Sequence, residues 1–154
     1  MALPQSRVAE ITLSYYPNIK LNDCEKVSSS KDAERLFREN WDDAQIGFVE
    51  EFKVMLLNRA NRVLGISAIS KGGVTGTVVD PKIVYGLALK AVACGIILAH
   101  NHPSGNLKPS HADIKLTEKL ASAGKIFDLP ILDHLIMTGE SYYSFADNGE
   151  PCLS

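Results

Sequence analysis

The chain has 154 residues, of which 45% are hydrophobic and 22% charged, and its formal net charge is -2. This composition is typical of one folded domain with a single core, and it excludes a disordered or fibrous protein. Sixteen basic residues stand against eighteen acidic ones without any run of like charge, so the sequence offers no basic stripe for a nucleic-acid backbone.

The cysteines and the apolar segments indicate in which cellular compartment the protein is expected. Cys24, Cys94 and Cys152 are odd in number and far apart, which is typical of reduced thiols. The start, MALPQSRVAEITL, lacks the basic end and apolar stretch of a signal peptide. The longest apolar run, AVACGIILA, has about half of the roughly 20 residues that a membrane helix needs. We therefore expect a cytoplasmic protein that does not associate with membranes.

The first half of the chain predicts a strand, a helix and a hairpin. Residues 8–16 (VAEITLSYY) alternate loosely and are partly β-branched or aromatic, which favours an early edge strand. Apolar residues at helical spacing predict an amphipathic helix over 31–41, with Ser30 as its cap. Residues 50–58 and 62–70 then read as two strands of an antiparallel hairpin, joined by a short polar segment.

The second half alternates helices and strands. Pro81 near the first helical position predicts a helix over 82–94, and the apolar run 96–100 predicts a strand buried on both faces. A second helix is predicted over 111–127, followed by a strand over 129–138, a short strand within 142–147 and a loose tail over 149–154. This order favours one mixed α/β layered domain.

The stretch AHNHPSGNLKPSHAD, residues 99–113, follows the buried strand. In an extended chain alternate side chains share a face, so His100 and His102 point to the same side and Asn101 points away. Pro103 favours an extended His102. The chain then turns and restarts as a helix whose first turn carries Asp113, which brings a carboxylate near both imidazoles.

Two interpretations of this stretch stay open. Two neutral imidazoles and one carboxylate suit zinc and leave a fourth tetrahedral position for water. Alternatively, Ser110-x-x-Asp113 is a helix start that resembles a capping box, which explains those two residues without a metal. The second interpretation leaves two adjacent imidazoles at the end of an apolar strand without a common partner.

The same residues resemble a known signature. His-x-His-Pro-Ser-Gly, followed by Ser-x-x-Asp with seven residues between the second histidine and the serine, is similar to the JAMM motif of JAB/MPN metalloproteins. HNHPSG with the later LDHLI and YYSF resembles the RadC branch, from about Glu50 to Phe145. The resemblance implies a JAB/MPN, or cytidine-deaminase-like, α/β fold with a mixed central sheet packed by helices. We expect a single domain over 1–154, with a strand–helix extension over about 1–45 and the core over 50–145.

The resemblance also implies an activity, zinc-dependent hydrolysis of a peptide or isopeptide bond in a peptide or protein substrate. It implies one Zn²⁺ per chain held by His100, His102 and Asp113, with Ser110 as a hydrogen-bond donor to the developing oxyanion. The family motif further needs an upstream glutamate as general acid/base for a zinc-activated water, and Glu51 matches it best. Since Glu50 alternates to the other face of the strand, only one of the two can serve.

The sequence contains two further histidines, and it leaves other functions open. His111 is expected in solvent, and His134 is expected to be a hydrogen-bonded core residue or a partner of a ligand.

The main alternative function is a RadC-like, DNA-repair-associated module that binds nucleic acid or protein. It is weakened by the acidic net charge and by the lack of a helix-hairpin-helix segment in the fifty residues before Glu51. A structural module without catalysis and a metal-dependent phosphodiesterase are further alternatives.

Overall fold

The fold is a five-stranded mixed sheet with helices on both faces, seen in a computed structural model that describes residues 7–73 and 77–154. The strands are β1 (Glu51–Leu57), β2 (Val63–Lys71), β3 (Gly95–Asn101), β4 (Ile131–Met137) and β5 (Tyr142–Ser144). The α-helices are α1 (Ser30–Glu39), α2 (Asp43–Ile46), α3 (Pro81–Lys90) and α4 (His111–Ile126), and short 3-10 helices cover Leu21–Asp23 and Pro151–Leu153. The predicted mixed α/β architecture is confirmed.

The order of the strands places β3 in the centre of the sheet. The sheet runs β2-β1-β3-β4-β5, with β1 antiparallel to both β2 and β3, β3 parallel to β4, and β4 antiparallel to β5. The predicted hairpin is therefore confirmed as β1 and β2. All seven residues of β3 are buried, as a continuous apolar run between two layers requires.

The two faces of the sheet carry separate clusters of apolar side chains. Phe52 and Val54 of β1 and Leu98 of β3 pack against α3 and α4 on what we call the α4 face. Met55 and Leu57 pack against α1 on the opposite side, the α1 face. The alternation of side chains along each strand assigns every residue of β1 and β3 to one of these faces.

The helix starts carry the capping residues that the sequence favours. Asp80 accepts a hydrogen bond from Lys82 N ahead of Pro81 in α3, and Ser110 caps α4. At α1 the cap is Ser29, which has extended backbone angles and accepts from Asp32 N. The prediction of Ser30 as the cap was wrong by one residue, because Ser30 is the first helical residue.

Three other predictions were wrong. Residues 8–16 form no strand, because Val8, Ile11 and Leu13 lie exposed without a neighbouring strand, and β-forming composition needs such a partner. The helix predicted over 82–94 ends at Lys90, since Val92 has φ 53°, a left-handed angle that cannot continue a right-handed helix. The predicted loose tail forms the second 3-10 helix, with Cys152 buried.

Within residues 7–73 and 77–154, none of the helices combines the length and the apolar character needed to cross a membrane.

Candidate metal centre

The site lies where β3 ends and α4 begins. His100 is the penultimate residue of β3 and is 2% exposed, while His102 follows the strand and is partly buried. Their Nε2 atoms lie 2.9 Å apart, so both imidazoles point to the same side, as the spacing predicted. Pro103 follows directly, where it keeps His102 extended.

Asn101 points to the α1 face and holds the segment that precedes β1 in the sequence. Its side-chain amide donates to the carbonyls of Ile46 (2.7 Å) and Val49 (2.8 Å), and its side-chain oxygen accepts from Glu51 N at 2.7 Å. Asn101 is fully buried, so these three bonds satisfy an otherwise costly polar group. They tie the end of β3 to the start of β1, which sets the position of Glu50.

Asp113 serves two purposes. It forms a capping box with Ser110, whose backbone N–H donates to Asp113 Oδ2 at 2.7 Å while Asp113 N donates to Ser110 Oγ at 3.1 Å. The same carboxylate has Oδ1 at 3.2 Å from His100 Nε2 and Oδ2 at 3.2 Å from His102 Nε2. The helix cap therefore holds the carboxylate against the histidines, and the two interpretations of the sequence describe one arrangement.

A buried chain of hydrogen bonds fixes the tautomer of His100. A carbonyl can only accept, so Thr117 Oγ1 donates to Asp113 O (2.7 Å) and accepts from His134 Nδ1–H (2.7 Å). Complete burial lowers the pKa of His134, which keeps this ring neutral. Its Nε2 therefore accepts from His100 Nδ1–H at 2.7 Å, and the Nε2 lone pair of His100 faces the site.

The loop that follows His102 also directs the Nε2 atom of this ring toward the site. Its Nδ1–H donates to the carbonyl of Asn106 at 2.6 Å, which turns Nε2 toward His100 Nε2 and the carboxylate. The hydrogen bond to Asp113 raises the pKa of His102, and burial acts in the opposite direction. For Asp113, burial would raise the pKa, but the bonds to both histidines outweigh it and hold the pKa far below its usual range.

The donor atoms of these three residues fit a metal ion. His100, His102 and Asp113 each offer one ligand atom, and these atoms lie within 4.8 Å of one another. Two imidazole lone pairs and a carboxylate repel one another unless a positive charge sits between them, and that charge is either a proton on one of the imidazoles or a cation. Two imidazoles and a carboxylate are a ligand set that zinc accepts, with further positions left open. The geometry thus brings together all three predicted ligands.

Ser110 keeps a hydroxyl proton available. Its Oγ accepts from Asp113 N, and a hydroxyl that accepts one bond still has its own hydrogen to donate. The residue is exposed and lines the cavities beside His102. The position suits the predicted role of a hydrogen-bond donor to substrate.

The structure places Glu50, and not Glu51, beside the candidate ligands. Glu50 is partly buried, lines the same cavities as His102 and Ser110, and contributes to the raised pKa of His102. Glu51 lies on the α1 face, where its Oε1 is 3.6 Å from Lys53 Nζ. The expectation that Glu51 faces the site needs correcting, although only one of the pair does so, as predicted.

The remaining histidines lie where they were expected, and the structure adds one residue, Thr117, to those that shape the site. His111 is exposed on the first turn of α4, and the buried His134 contacts His100. Sequence analysis did not identify Thr117, which links His134 to the backbone of Asp113. The available signal was its position one helical turn after Asp113, since a threonine in a helix often bonds the carbonyl four residues earlier.

Comparisons with known proteins identify the family of this chain. The RadC-like JAB domain family matches residues 27–150. A UPF0758 protein of Flavobacterium johnsoniae is 48% identical over 126 residues, covering 80% of this chain and 53% of that protein. UPF0758 proteins of Salinibacter ruber and Porphyromonas gingivalis are 44% and 41% identical, over 65% of this chain and 43% and 44% of theirs. The chain thus spans about half the length, or less, of these relatives. From its fold and from the extent of the match, the chain belongs to the RadC-like JAB domain family.

Proposed function

We propose that this domain is a zinc-dependent hydrolase that cleaves a peptide or isopeptide bond. The observation that carries the proposal is the convergence of His100 Nε2, His102 Nε2 and the Asp113 carboxylate, with hydrogen bonds that point both ring lone pairs inward. Nitrogen and carboxylate ligands suit zinc better than magnesium or calcium, which prefer oxygen donors. When bound, zinc would lower the pKa of a water molecule and polarise a substrate carbonyl.

The protein residues supply the remaining parts of the reaction. In hydrolysis the C–N bond breaks, the oxygen of water joins the acyl carbon, and a proton moves to the leaving nitrogen. The carboxylate of Glu50 lines the cavities next to His102, where it is placed to take the proton from water and return it to that nitrogen. We therefore assign to Glu50 the role that the sequence resemblance gave to Glu51.

Ser110 and His134 support this chemistry in different ways. The free hydroxyl proton of Ser110 can donate to the oxygen on which charge develops, as donors fixed before the reaction do in acyl-transfer enzymes. His134 does not contact substrate and acts through His100, whose ring orientation and tautomer it holds. The alternative of a nucleic-acid or protein binding module stays a prediction, and no specific contact among the described residues favours it.

The test of this proposal is chelator-sensitive cleavage. Protein stripped of metal and reloaded with zinc is assayed on a panel of blocked peptides and on isopeptide-linked peptide pairs, with products identified by mass spectrometry. We expect cleavage by the zinc-loaded parent, loss with a chelator, recovery with added zinc, and a strong loss in Asp113→Ala. An equal rate in the parent and in Asp113→Ala would show a contaminating protease, and no cleavage of any substrate by the zinc-loaded parent would contradict the proposal.

A further inference from the structure

Two cavities meet at the candidate metal centre. One has a volume of about 560 Å³ and the other about 400 Å³, and both are lined by Glu50, His102 and Ser110. A bond that reacts beside these three residues would therefore lie between the cavities. Each cavity would then be available to one of the two groups that this bond joins.

The larger cavity has an apolar wall beside the site. Among the described residues, this wall consists of Phe52, Val78, Val79, Ala112 and Leu116, with Thr77 as a neighbouring polar residue. Its charged lining residues among those described are Glu50 and Asp113, both acidic and both next to the site. Away from the histidines and any bound cation, the described lining offers an acidic substrate group no cationic side chain, whereas an apolar side chain would leave water at no electrostatic cost.

The smaller cavity differs in having a cationic side chain in its lining. It is lined by Lys108 and by the polar side chains of Ser104 and Asn106, together with two prolines of the loop before α4. This lining does not favour burial of an apolar side chain. The apolar side chains of Phe52 and Leu116, by contrast, offer an apolar substrate group direct contact in the larger cavity.

We propose that the larger cavity is a specificity pocket for a large apolar side chain, such as leucine or phenylalanine, adjacent to the bond that is cleaved. This inference rests on the proposed hydrolase function and names the class of substrate. The cavity lies within the range of about 300–1,000 Å³ that is usual for ligand sites. Val78 is 88% exposed and stands at its edge, where an unpartnered apolar side chain is available to contact a ligand.

The experiment measures ligand binding and does not depend on catalysis. N-acetyl amino-acid hydroxamates, which chelate zinc through their common head group, are titrated into zinc-loaded protein by calorimetry. The series carries leucine, phenylalanine, alanine or aspartate side chains. We expect leucine and phenylalanine to bind at least about tenfold more tightly than alanine, and aspartate to bind most weakly, because only the apolar side chains gain contacts in the cavity.

Two variants locate this preference, and a third provides the matched control. Val78→Asp places a charge in the cavity wall, and Ala112→Phe fills the space from an exposed position on α4, so both leave the core intact. Each should reduce the preference for leucine over alanine to less than about threefold. Val8→Asp makes the same chemical change at another exposed valine outside the cavity, and it should retain the parental preference.

The outcomes separate this inference from the proposed function. Equal affinity for leucine, alanine and aspartate in zinc-loaded protein would overturn the specificity pocket while leaving the hydrolase proposal standing. A leucine preference that survives both Val78→Asp and Ala112→Phe would also overturn it, since the apolar contact would then lie elsewhere. Failure of the protein to bind zinc would overturn the hydrolase proposal and this inference with it.

Discussion

Phe52 and His100 lie directly opposite one another in the antiparallel pairing of β1 and β3, with their rings stacked at 6.2 Å between centroids and 11° between planes. Directly opposed residues project from the same face of a sheet. Because side chains alternate along a strand, the residue two positions before Phe52 shares that face and the residue one position before it does not. This pairing directs Glu50 toward the candidate metal centre and Glu51 away from it.

The two adjacent glutamates therefore give a matched pair of variants. Glu50→Gln should lower the rate of peptide cleavage by about 100- to 10,000-fold, which is the usual contribution of general acid/base catalysis. Glu51→Gln should change that rate little, since its side chain contacts Lys53 on the α1 face. Both proteins should bind zinc as the parent does. A larger loss of rate in Glu51→Gln than in Glu50→Gln would reverse the assignment.

The hydrogen bond between His134 and His100 should strengthen metal binding. His134→Phe keeps an aromatic ring in the buried space beside Phe145 and removes the nitrogen that accepts from His100. The zinc dissociation constant should rise about 10- to 100-fold, because partners of this kind orient the ligand ring and set its tautomer. The measurement is competition with a chromophoric chelator, after circular dichroism has shown that the variant is folded.

The control for this variant is His111→Ala, which removes an exposed histidine of α4 outside the ligand cluster. Its zinc affinity should equal that of the parent. Unchanged zinc affinity in folded His134→Phe would mean that the ring of His134 packs in the core without assisting His100.

The raised pKa of His102 predicts opposite pH dependence for metal-free and zinc-loaded protein. Because the pKa of His102 is raised in the folded state, protonation of this ring stabilises the fold. The contribution is complete below the unfolded pKa of about 6.5 and is lost as the pH rises through the folded pKa. Zinc needs the neutral imidazole, so its stabilising effect grows over the same interval. Between about pH 6 and pH 8, Tm should fall for metal-free protein relative to His102→Gln and rise for zinc-loaded protein.

His102→Gln is the reference because it removes the titrating group and keeps a polar side chain. Groups that do not contact His102 then contribute equally to both proteins, so the difference in Tm reports on His102 and its bond to Asp113. Identical pH dependence in parent and variant, with and without zinc, would contradict a protonation of His102 that competes with metal.

Replacing each of two helical glycines by alanine should change the stability of the protein in opposite directions. A Cβ at Gly124 of α4 would overlap the carbonyl oxygen of Leu129 and lie 2.7 Å from Tyr85 Oη, so Gly124→Ala should cost about 1–3 kcal/mol of unfolding free energy. Gly86 of α3 has no atom within 4 Å of such a Cβ, and Gly86→Ala should stabilise by about 0.5–1 kcal/mol. Denaturant unfolding measures both. A neutral Gly124→Ala would show that the turn after α4 has room to move.

The sequence predicted the parts of the site that depend on local chemistry. The His-x-His spacing, the proline after His102 and the capping pattern from Ser110 to Asp113 each act within a few residues, so the ligand set follows from the sequence alone. The choice between Glu50 and Glu51 does not, because it depends on which face of β1 meets His100, and only the long-range pairing of β1 with β3 sets that face.

The errors in the fold have the same origin. The segment 8–16 has the composition of a strand, but in the structure it lacks a neighbouring strand to complete its hydrogen bonds, and only Tyr15 reaches β2 by donating to Leu64 O. The tail over 149–154 has no pattern of its own that predicts structure, whereas burial of Cys152 beside Ile136 and Phe145 gives it structure. Both depend on tertiary contacts that local patterns do not encode.

The most direct test of this account is the metal content of the purified, tag-free protein after incubation with zinc and removal of excess ion, measured by elemental analysis beside His102→Ala and Asp113→Ala. We expect about one zinc per chain in the parent and little in either variant, with all three proteins folded by circular dichroism. A folded parent without zinc, or variants that retain as much zinc as the parent, would contradict a metal centre formed by His100, His102 and Asp113.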